Sequence, residues 1–416
     1  MKIVIATAVY YPQINGVAVF SHNLAVGLAR RGHKVMVICP SQTGKNYTRL
    51  IDGVKTVYLR SVDVKVYPDQ IHKIPEKKKV AGVRLPRLFY RKGFRVSVFP
   101  QFEIKKALSE FMPDVVHVQV SDPIGLSVVS YARKNNISVV TTEHNQPEVL
   151  TEPLHIPGVV RKPVNALLSA YFRNRQSKSD FVTMPTEQAI YNLLSRHELN
   201  IPVAAVSNGV DLSNFKPGKA PEEFYQECKL DKVSPTAVYV GRIDPEKKLE
   251  LVIRAFREVL ETIPEAKLVI AGDGVDRARL EKLVLDLGIS DSVRFLGRVS
   301  GDKLYKVYNL GDVFVTASEI ETQGIVLIEA AASGLPLIAV DRGAVSEVCR
   351  NNENGFLCSP GKVSEIAEAM TKILSDKKLQ EKFSKRSLEI AKEHDFEKTL
   401  DKFINIYNRV LDNNIK

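Results

Sequence analysis

Two short segments carry residue types whose spacing points to chemistry. In GRIDPEKK, residues 241–248, Arg242 ends an apolar strand-like run, and Asp244 followed by Pro245 reads as an N-cap and first helical residue. That reading places Lys247 in a first helical turn, where the macrodipole disfavours a cation by roughly 0.3–1 kcal/mol. Two cations and a helix N-terminus at a strand's carboxyl end make a receptor for a diphosphate; the competing interpretation is a pair of solvated surface cations. The second segment is SEIETQGIVLIEAAASGLP, residues 318–336, in which seven residues separate Glu321 from Glu329. A helix starting near Gly324 would hold Glu329 inside it and leave Glu321 in the loop before it. Eight residues of helix rise roughly 12 Å, so the two carboxylates cannot share one atom but can grip two parts of an elongated ligand. Glu329 could instead only satisfy a neighbouring backbone group.

The elements that must position these residues follow from periodicity. Apolar runs of strand length alternate with helical patterns along the 416 residues, the signature of parallel sheets with crossover helices. Strands are expected at 2–9, 34–39, 55–60, 114–119, 138–143, 181–184 and 203–207, with helices at 17–31, 124–135 and 186–196. After a turn-rich stretch at 208–234 the rhythm restarts, with strands at 236–241, 267–271, 293–296, 313–316, 336–340 and 356–358. Helices here are expected at 246–262, 276–287, 301–309 and 324–333, and a last helical pattern covers 396–412. The fold class is therefore α/β, with two doubly wound domains whose ligands belong at the carboxyl ends of the strands. A two-domain dehydrogenase shares this architecture but needs G-x-G-x-x-G after a strand. Gly272-Asp-Gly274 lacks the third glycine and Gly16 stands alone after the first strand.

Composition narrows the classes further. Hydrophobic content of 44% and charged content of 26% are those of an ordinary soluble globular chain. Four scattered cysteines without C-x-x-C or paired histidine spacing argue against a disulfide framework or a zinc site, and fit a reducing, cytoplasmic compartment. The first apolar run is too short for a signal peptide, and 324–340 is interrupted by Glu329, Ser333 and Pro336, so no membrane-spanning helix is expected.

The segments YVGRIDPEKKLELVIRAF, AGDG, FLGRVS and the E-x7-E pair, with SNGVDLSNF upstream, resemble glycosyltransferase family 4, whose members have the GT-B fold. Order and spacing match along nearly the whole chain, most specifically over 203–358. The resemblance implies a retaining hexosyltransferase that uses a nucleotide sugar as co-substrate, a UDP-sugar first among them, and no cofactor. Two Rossmann-like domains would face each other across a cleft: an acceptor-binding domain over 1–208, with the helix at 396–416 packing back on it, and a donor-binding domain over 209–395. Arg242 and Lys247 would bind the donor's diphosphate, Glu329 the ribose hydroxyls, and Glu321 the sugar, together with the backbone of Gln323, Gly324 and Ile325. Arg298 would frame the base through its main chain. Gly16 matches a glycine loop whose missing side chain lets backbone approach phosphate or acceptor. His144, ending VVTTEH, matches an active-site histidine near the sugar; the alternative is a core histidine making two backbone bonds. The expected catalytic group is His144, Arg242, Lys247 and Glu321.

Three departures from the family pattern stand out: NGV in place of two glycines, Asn145 in place of Asp, and Arg342-Gly343-Ala344-Val345-Ser346-Glu347 in place of Gly-Gly-x-x-Glu. ETQG, where Glu-x-Phe-Gly is commoner, looks like the branch that glucosylates diacylglycerol. No D-x-D is present, so cations and helix dipoles are expected to neutralise the leaving group without a metal. With no evident nucleophile, the implied route is front-face attack in which the departing phosphate takes the acceptor's proton.

The net charge of +11 is concentrated: residues 60–106 hold 13 Lys/Arg against four acids, a local balance of +9. Within 84–106, Phe89, Tyr90, Phe94, Phe99 and Phe102 are interleaved with Arg84, Arg87, Arg91, Lys92, Arg95, Lys105 and Lys106, and residues 154–179 add five more cations without an acid. Aromatics to enter an interface and cations to meet anionic head groups suit a peripheral site on the inner face of the membrane, with a lipid or glycan acceptor. The opposing interpretation is a solvated basic face with its aromatics in the core. No nucleic-acid-binding module surrounds the patch, so nucleic acid is not an expected partner. A non-catalytic lipid- or nucleic-acid-binding protein would have no use for Arg242, Lys247 and the glutamate pair.

Overall fold

The computed structural model describes residues 1–11, 15–63, 95–119, 122–144, 158–195, 199–299 and 301–414. The chain divides into two compact units, Met1–Ser207 with Thr399–Lys416, and Asn208–Lys398.

Among the described residues, the first unit holds an eight-stranded sheet. Its spatial order is Val203–Ala205, Phe181–Met184, Ser138–Thr142, Val115–Val118, Lys2–Ala6, Lys34–Pro40, Val54–Leu59 and Tyr47–Ile51. The central strands KIVIA, KVMVICP and VVHV are almost wholly buried, because helices cover both faces of a parallel sheet. Tyr47–Ile51 is antiparallel to its neighbour and was not expected. It is a largely exposed edge strand, so its polar pattern hides it. The tight turn Asp52-Gly53, both at positive φ, is the D-G hairpin signal that reveals it. Helix starts follow local capping: Asn15 accepts from the Ala18 amide before Gly16–Arg30, Asp122 from Gly125 before Pro123–Lys134, and Thr186 from Ala189 before Glu187–Leu194. The helix Phe396–Asn414 buries Phe403, Tyr407 and Val410 in this unit.

The second unit has six parallel strands in the order Val293–Gly297, Lys267–Ala271, Thr236–Val240, Val313–Val315, Leu337–Val340 and Gly355–Cys358. Two apolar clusters occupy the two faces of this sheet, one built on Leu249, Val252, Ile253 and Phe256, the other on Leu327, Ile328, Ala330 and Ala331. In each unit the order of the parallel strands reverses once. The reversal falls between Lys2–Ala6 and Val115–Val118 in the first, and between Thr236–Val240 and Val313–Val315 in the second. Such reversals open a crevice at the strands' carboxyl ends, because the two following loops depart to opposite faces.

Candidate functional sites at the two switch points

In the second unit, the loops that leave the switch point are 241–248 and 316–324, and they carry Arg242, Lys247 and Glu321. Lys247 Nζ donates to Glu321 Oε1 at 2.6 Å and approaches Ser318 Oγ at 3.5 Å. The two side chains are only 16% and 15% exposed, so this ion pair is partly withdrawn from water. Arg242 is paired twice, with Asp244 and with Glu246 Oε1 at 2.6 Å. Lys248 pairs with Glu319, and Arg342 lies 3.6 Å from the same carboxylate. The 342–347 segment, which departs from the family pattern, thus reaches this cluster through Arg342.

The local backbone differs from the expectation of a helix beginning at 246. Pro245–Lys247 is a single 3₁₀ turn, Lys248 is left-handed with φ 48°, and the α-helix is Leu249–Thr262. Asp244 does not cap the turn with its side chain; it is buried and accepts from Arg242 and from the Val275 amide. Lys247 thus stands one residue before the N-cap of the long helix instead of inside its first turn, and is held there by Glu321. Gly272 and Gly274 have a packing role: a Cβ at Gly272 would meet the Gly241 carbonyl at 1.8 Å, and one at Gly274 the Ile243 carbonyl at 2.2 Å. The AGDG loop consequently zips against GRID, with Ile243 N–H on Asp273 O and Asp276 N–H on Ile243 O.

Glu329 lies in the helix Ile325–Ala332, which starts after Gly324 at φ 75°. Its Oε2 accepts from Tyr308 Oη at 2.5 Å, not from a backbone group, and burial pushes its carboxyl up to about 7. Gln323 is buried, and its Oε1 accepts from the Asn208 amide at 3.1 Å, tying the glutamine loop to the start of SNGVDLSNF. Ile325 opens the helix, and Arg298 is an exposed side chain in the loop after Val293–Gly297. The structure brings Arg242, Lys247 and Glu321 into two neighbouring loops, with Glu329 one helical stretch away.

At the first unit's switch point the described hydrogen bonds around His144 join neutral side chains. Gly16 is the first residue of its helix rather than part of the preceding loop. His144 follows Ser138–Thr142 and is buried, and its Nε2 lies 2.8 Å from Gln119 Oε1. The carbonyl oxygen only accepts, so Nε2 carries the proton. His144 thus makes a side-chain bond where a core histidine would make two to backbone. Beneath it, His117 sits between Tyr407 Oη and Thr142 Oγ1, each at 2.6 Å, and Gln119 Nε2 reaches the His117 ring at 3.2 Å. Burial lowers His144 to about 4 and His117 to about 3, so both rings are neutral at physiological pH.

In the basic segment, Arg84, Arg87, Arg91 and Lys92 lie outside the described residues. Arg95 belongs to a two-stranded ribbon, Ser61–Asp63 with Arg95–Ser97, and its guanidinium donates to Ser61 Oγ and O at 2.9 Å. That side chain is engaged in holding the ribbon. Phe99 and Phe102 are 84% and 75% exposed, so these two aromatics are not core residues. Gln101–Phe111 is an amphipathic helix that buries Ile104 and Leu108 and turns Phe102, Lys105 and Lys106 outward.

Tyr308, Gln119 and His117 were not singled out from sequence. Gln119 had a usable signal, since it follows an apolar strand at the carboxyl end where sites form. Tyr308 had none, because a tyrosine in a short helix reads as core. Among the described residues, no three His, Cys, Asp or Glu side chains gather as metal ligands, and no helix is long and apolar enough to cross a membrane.

A family described as "Glycosyltransferase Family 4" matches residues 14–214, and one described as "Glycosyl transferases group 1" matches residues 207–389. The chain is 28% identical to the alpha-monoglucosyldiacylglycerol synthase of Streptococcus pneumoniae, over 82% of this chain and 71% of that one. It is 27% identical to a GDP-mannose-dependent alpha-mannosyltransferase of Mycobacterium tuberculosis, over 93% and 92%. The solved sucrose-phosphate synthase of Thermosynechococcus elongatus superposes with a TM-score of 0.76 over 99% of both chains at 19% identity, a likeness of fold. With family matches running together from residue 14 to residue 389 over two units of mostly parallel sheet, the chain belongs to glycosyltransferase family 4 and has the GT-B fold.

Proposed function

We propose that this chain is a retaining, metal-independent hexosyltransferase that moves glucose from a UDP-sugar to a lipid acceptor such as diacylglycerol at a membrane surface. The observation that carries the reading is the Lys247–Glu321 pair at the second unit's switch point. A free phosphate would satisfy Lys247 and repel Glu321. A nucleotide sugar satisfies both, with diphosphate on the lysine and sugar hydroxyls on the carboxylate. Arg242 adds a second cation, and neutralising charge that develops on the leaving diphosphate lowers the barrier more than it tightens ground-state binding. Glu329 takes the ribose, Arg298 frames the base, and Gly16 leaves room for backbone to approach phosphate or acceptor. His144 is neutral with its proton on Nε2, so it orients and polarises, while the departing phosphate accepts the acceptor's proton.

The lipid acceptor is supported by the exposed Phe99 and Phe102 beside Lys105 and Lys106, by the +9 balance of 60–106, and by the likeness to a glycolipid synthase. Phe99 is left-handed at φ 50°, a conformation that costs a non-glycine residue on the order of 1–2 kcal/mol, and it carries an exposed ring there. The deciding experiment crosses donors with acceptors: UDP-glucose and GDP-mannose against diacylglycerol liposomes and soluble sugars, with and without EDTA. Transfer of glucose to lipid that survives EDTA is the expected result. Transfer to soluble sugars alone overturns the lipid reading, and restoration by Mg²⁺ or Mn²⁺ after EDTA overturns metal independence.

A further inference from the structure

Glu329 presents a carboxylate whose two oxygens have different surroundings. Oε2 is held by Tyr308 Oη at 2.5 Å. Oε1 has no hydrogen-bond partner among the described residues, and the side chain is only partly buried. Tyr308 ends the helix Leu304–Tyr308 and is fully buried, with Phe215 edge-on at 5.8 Å and Phe314 at 6.1 Å. Among the described residues, its hydroxyl donates to Glu329 Oε2 alone. A buried hydroxyl aimed at a carboxylate in an apolar helix does not fill space that phenylalanine could not fill; its particular effect is on the carboxylate.

We infer that Tyr308 is a positioning residue for the donor site: by donating to Glu329 Oε2 it fixes the carboxylate's rotamer and leaves Oε1 as the hydrogen-bond acceptor for a vicinal diol, the two ribose hydroxyls of the nucleotide. The inference rests on Glu329 as the ribose-binding residue. Burial opposes ionisation of Glu329, and the Tyr308 hydrogen bond is what favours it; no charged side chain among the described residues adds to either effect. A protonated Glu329 would offer a proton to a diol instead of two lone pairs. Removing the hydroxyl should therefore move the ionisation of Glu329 further up and weaken diol binding most at neutral pH.

The test is calorimetric titration of the full chain with UDP and GDP, each against its 2′,3′-dideoxy counterpart, at pH 6, 7, 8 and 9. The dideoxy nucleotides cancel titration of the phosphate and leave only the diol's contribution. For the wild type, the preference for the diol should grow through about pH 7. Tyr308→Phe should move that midpoint up by about one unit, which is about a fivefold loss of diol preference at pH 7 and less than twofold at pH 9. Glu329→Gln should have a small, pH-independent preference. A Tyr308→Phe midpoint equal to wild type, or a loss shared by the dideoxy nucleotides, overturns the positioning role while leaving Glu329 in place. A Glu329→Gln variant that prefers the diol as wild type does overturns the ribose reading itself.

Discussion

The same topological feature is furnished in opposite ways in the two units. At the second unit's switch point, Arg242, Lys247, Lys248 and Arg342 face Asp244, Glu246, Glu319 and Glu321, so every one of these cations is matched by a carboxylate. At the first unit's, a chain of neutral groups runs from Tyr407 through His117 to Thr142 and Thr183, with Gln119 joining His144 to it. Parallel strands supply only the mount. The loops decide whether it receives a charged ligand, which must displace ion pairs, or an uncharged one, which must meet fixed donors and acceptors in a site of low dielectric. A diphosphate suits the first kind and a hydroxyl-bearing acceptor the second.

The contrast is broken most directly by removing charge from the second site. Lys247→Ala should lower kcat by about 10²–10³-fold, the usual effect of deleting one group that meets charge developing in the transition state. Arg242→Ala should lower kcat comparably and also lower the melting temperature, since it takes an ion-pair partner from buried Asp244. Steady-state kinetics with calorimetric melting checks both. Turnover within a factor of two of wild type in the two variants would mean that these cations do not meet the leaving group.

Within the charged site, the two glutamates should separate. Glu329→Ala should weaken UDP about tenfold through loss of hydrogen bonds to the ribose. Glu321→Gln should abolish most transfer yet bind free UDP as well as wild type or up to about fivefold better, because Lys247 is released from its pair. Titration with UDP and then with UDP-glucose distinguishes them. Equal losses for UDP in the two variants would contradict the division of one elongated ligand between them.

The comparison is sharpened by pH. His144 and His117 have folded pKa values below the unfolded histidine value, so their contribution to stability is present above about 6.5 and is lost as pH falls towards about 4 and about 3 respectively. Glu329 has the opposite sign: its folded pKa is above the unfolded value, so its contribution is present below about 4.5 and is lost as pH rises through about 7. Each histidine costs up to about 1.4 kcal/mol per pH unit in that window. As pH falls from 6.5 to 4.5, amide protection corrected for the intrinsic exchange rate should therefore drop in Val115–Val118 and Ser138–Thr142 while that of Thr236–Val240 and Val313–Val315 holds. Simultaneous loss of protection in both sheets would contradict the assignment of neutral histidines to one and a protonatable acid to the other.

The parallel strands were legible because buried on both faces they read as unbroken apolar runs, and Arg242, Lys247 and Glu321 because their loops follow such runs. What escaped was pairing across the sequence. Lys247 and Glu321 are 74 positions apart, and nothing in either segment says that one neutralises the other. His117 looked like an ordinary strand residue, since its partner Tyr407 lies 290 positions away. The false helix start at 246 has a local cause: Asp-Pro is a strong capping signal, but Asp244 is claimed by Arg242 and the Val275 amide, and the chain makes one 3₁₀ turn before the helix begins.

The smallest expected effects on donor chemistry come from the surface of the first unit, where exposed large hydrophobics such as Tyr11, Leu50, Val62, Phe99, Phe102 and Met112 are found, against Val233 and Leu285 in the second. If that surface meets anionic lipid, each cation near the bilayer contributes on the order of 1 kcal/mol, so Lys105→Ser with Lys106→Ser should lower liposome binding roughly thirtyfold at low salt. The loss should vanish as salt rises, because attraction decays over about 8–10 Å at physiological ionic strength. Phe99→Ser with Phe102→Ser should remove the remainder that resists salt, since ring insertion is not screened. Arg91→Ser with Lys92→Ser should behave like the lysine pair. Arg95→Ser should instead destabilise the ribbon that Arg95 holds through Ser61, and its effect should track thermal stability rather than lipid charge. Co-sedimentation at several anionic-lipid fractions, beside donor hydrolysis as a control for the second unit, measures all four variants. Hydrolysis should be unchanged in the Lys and Phe variants while lipid glucosylation falls with binding. A protein that ignores anionic liposomes at low salt would make this an ordinary basic face, and the acceptor would then be sought among soluble sugars.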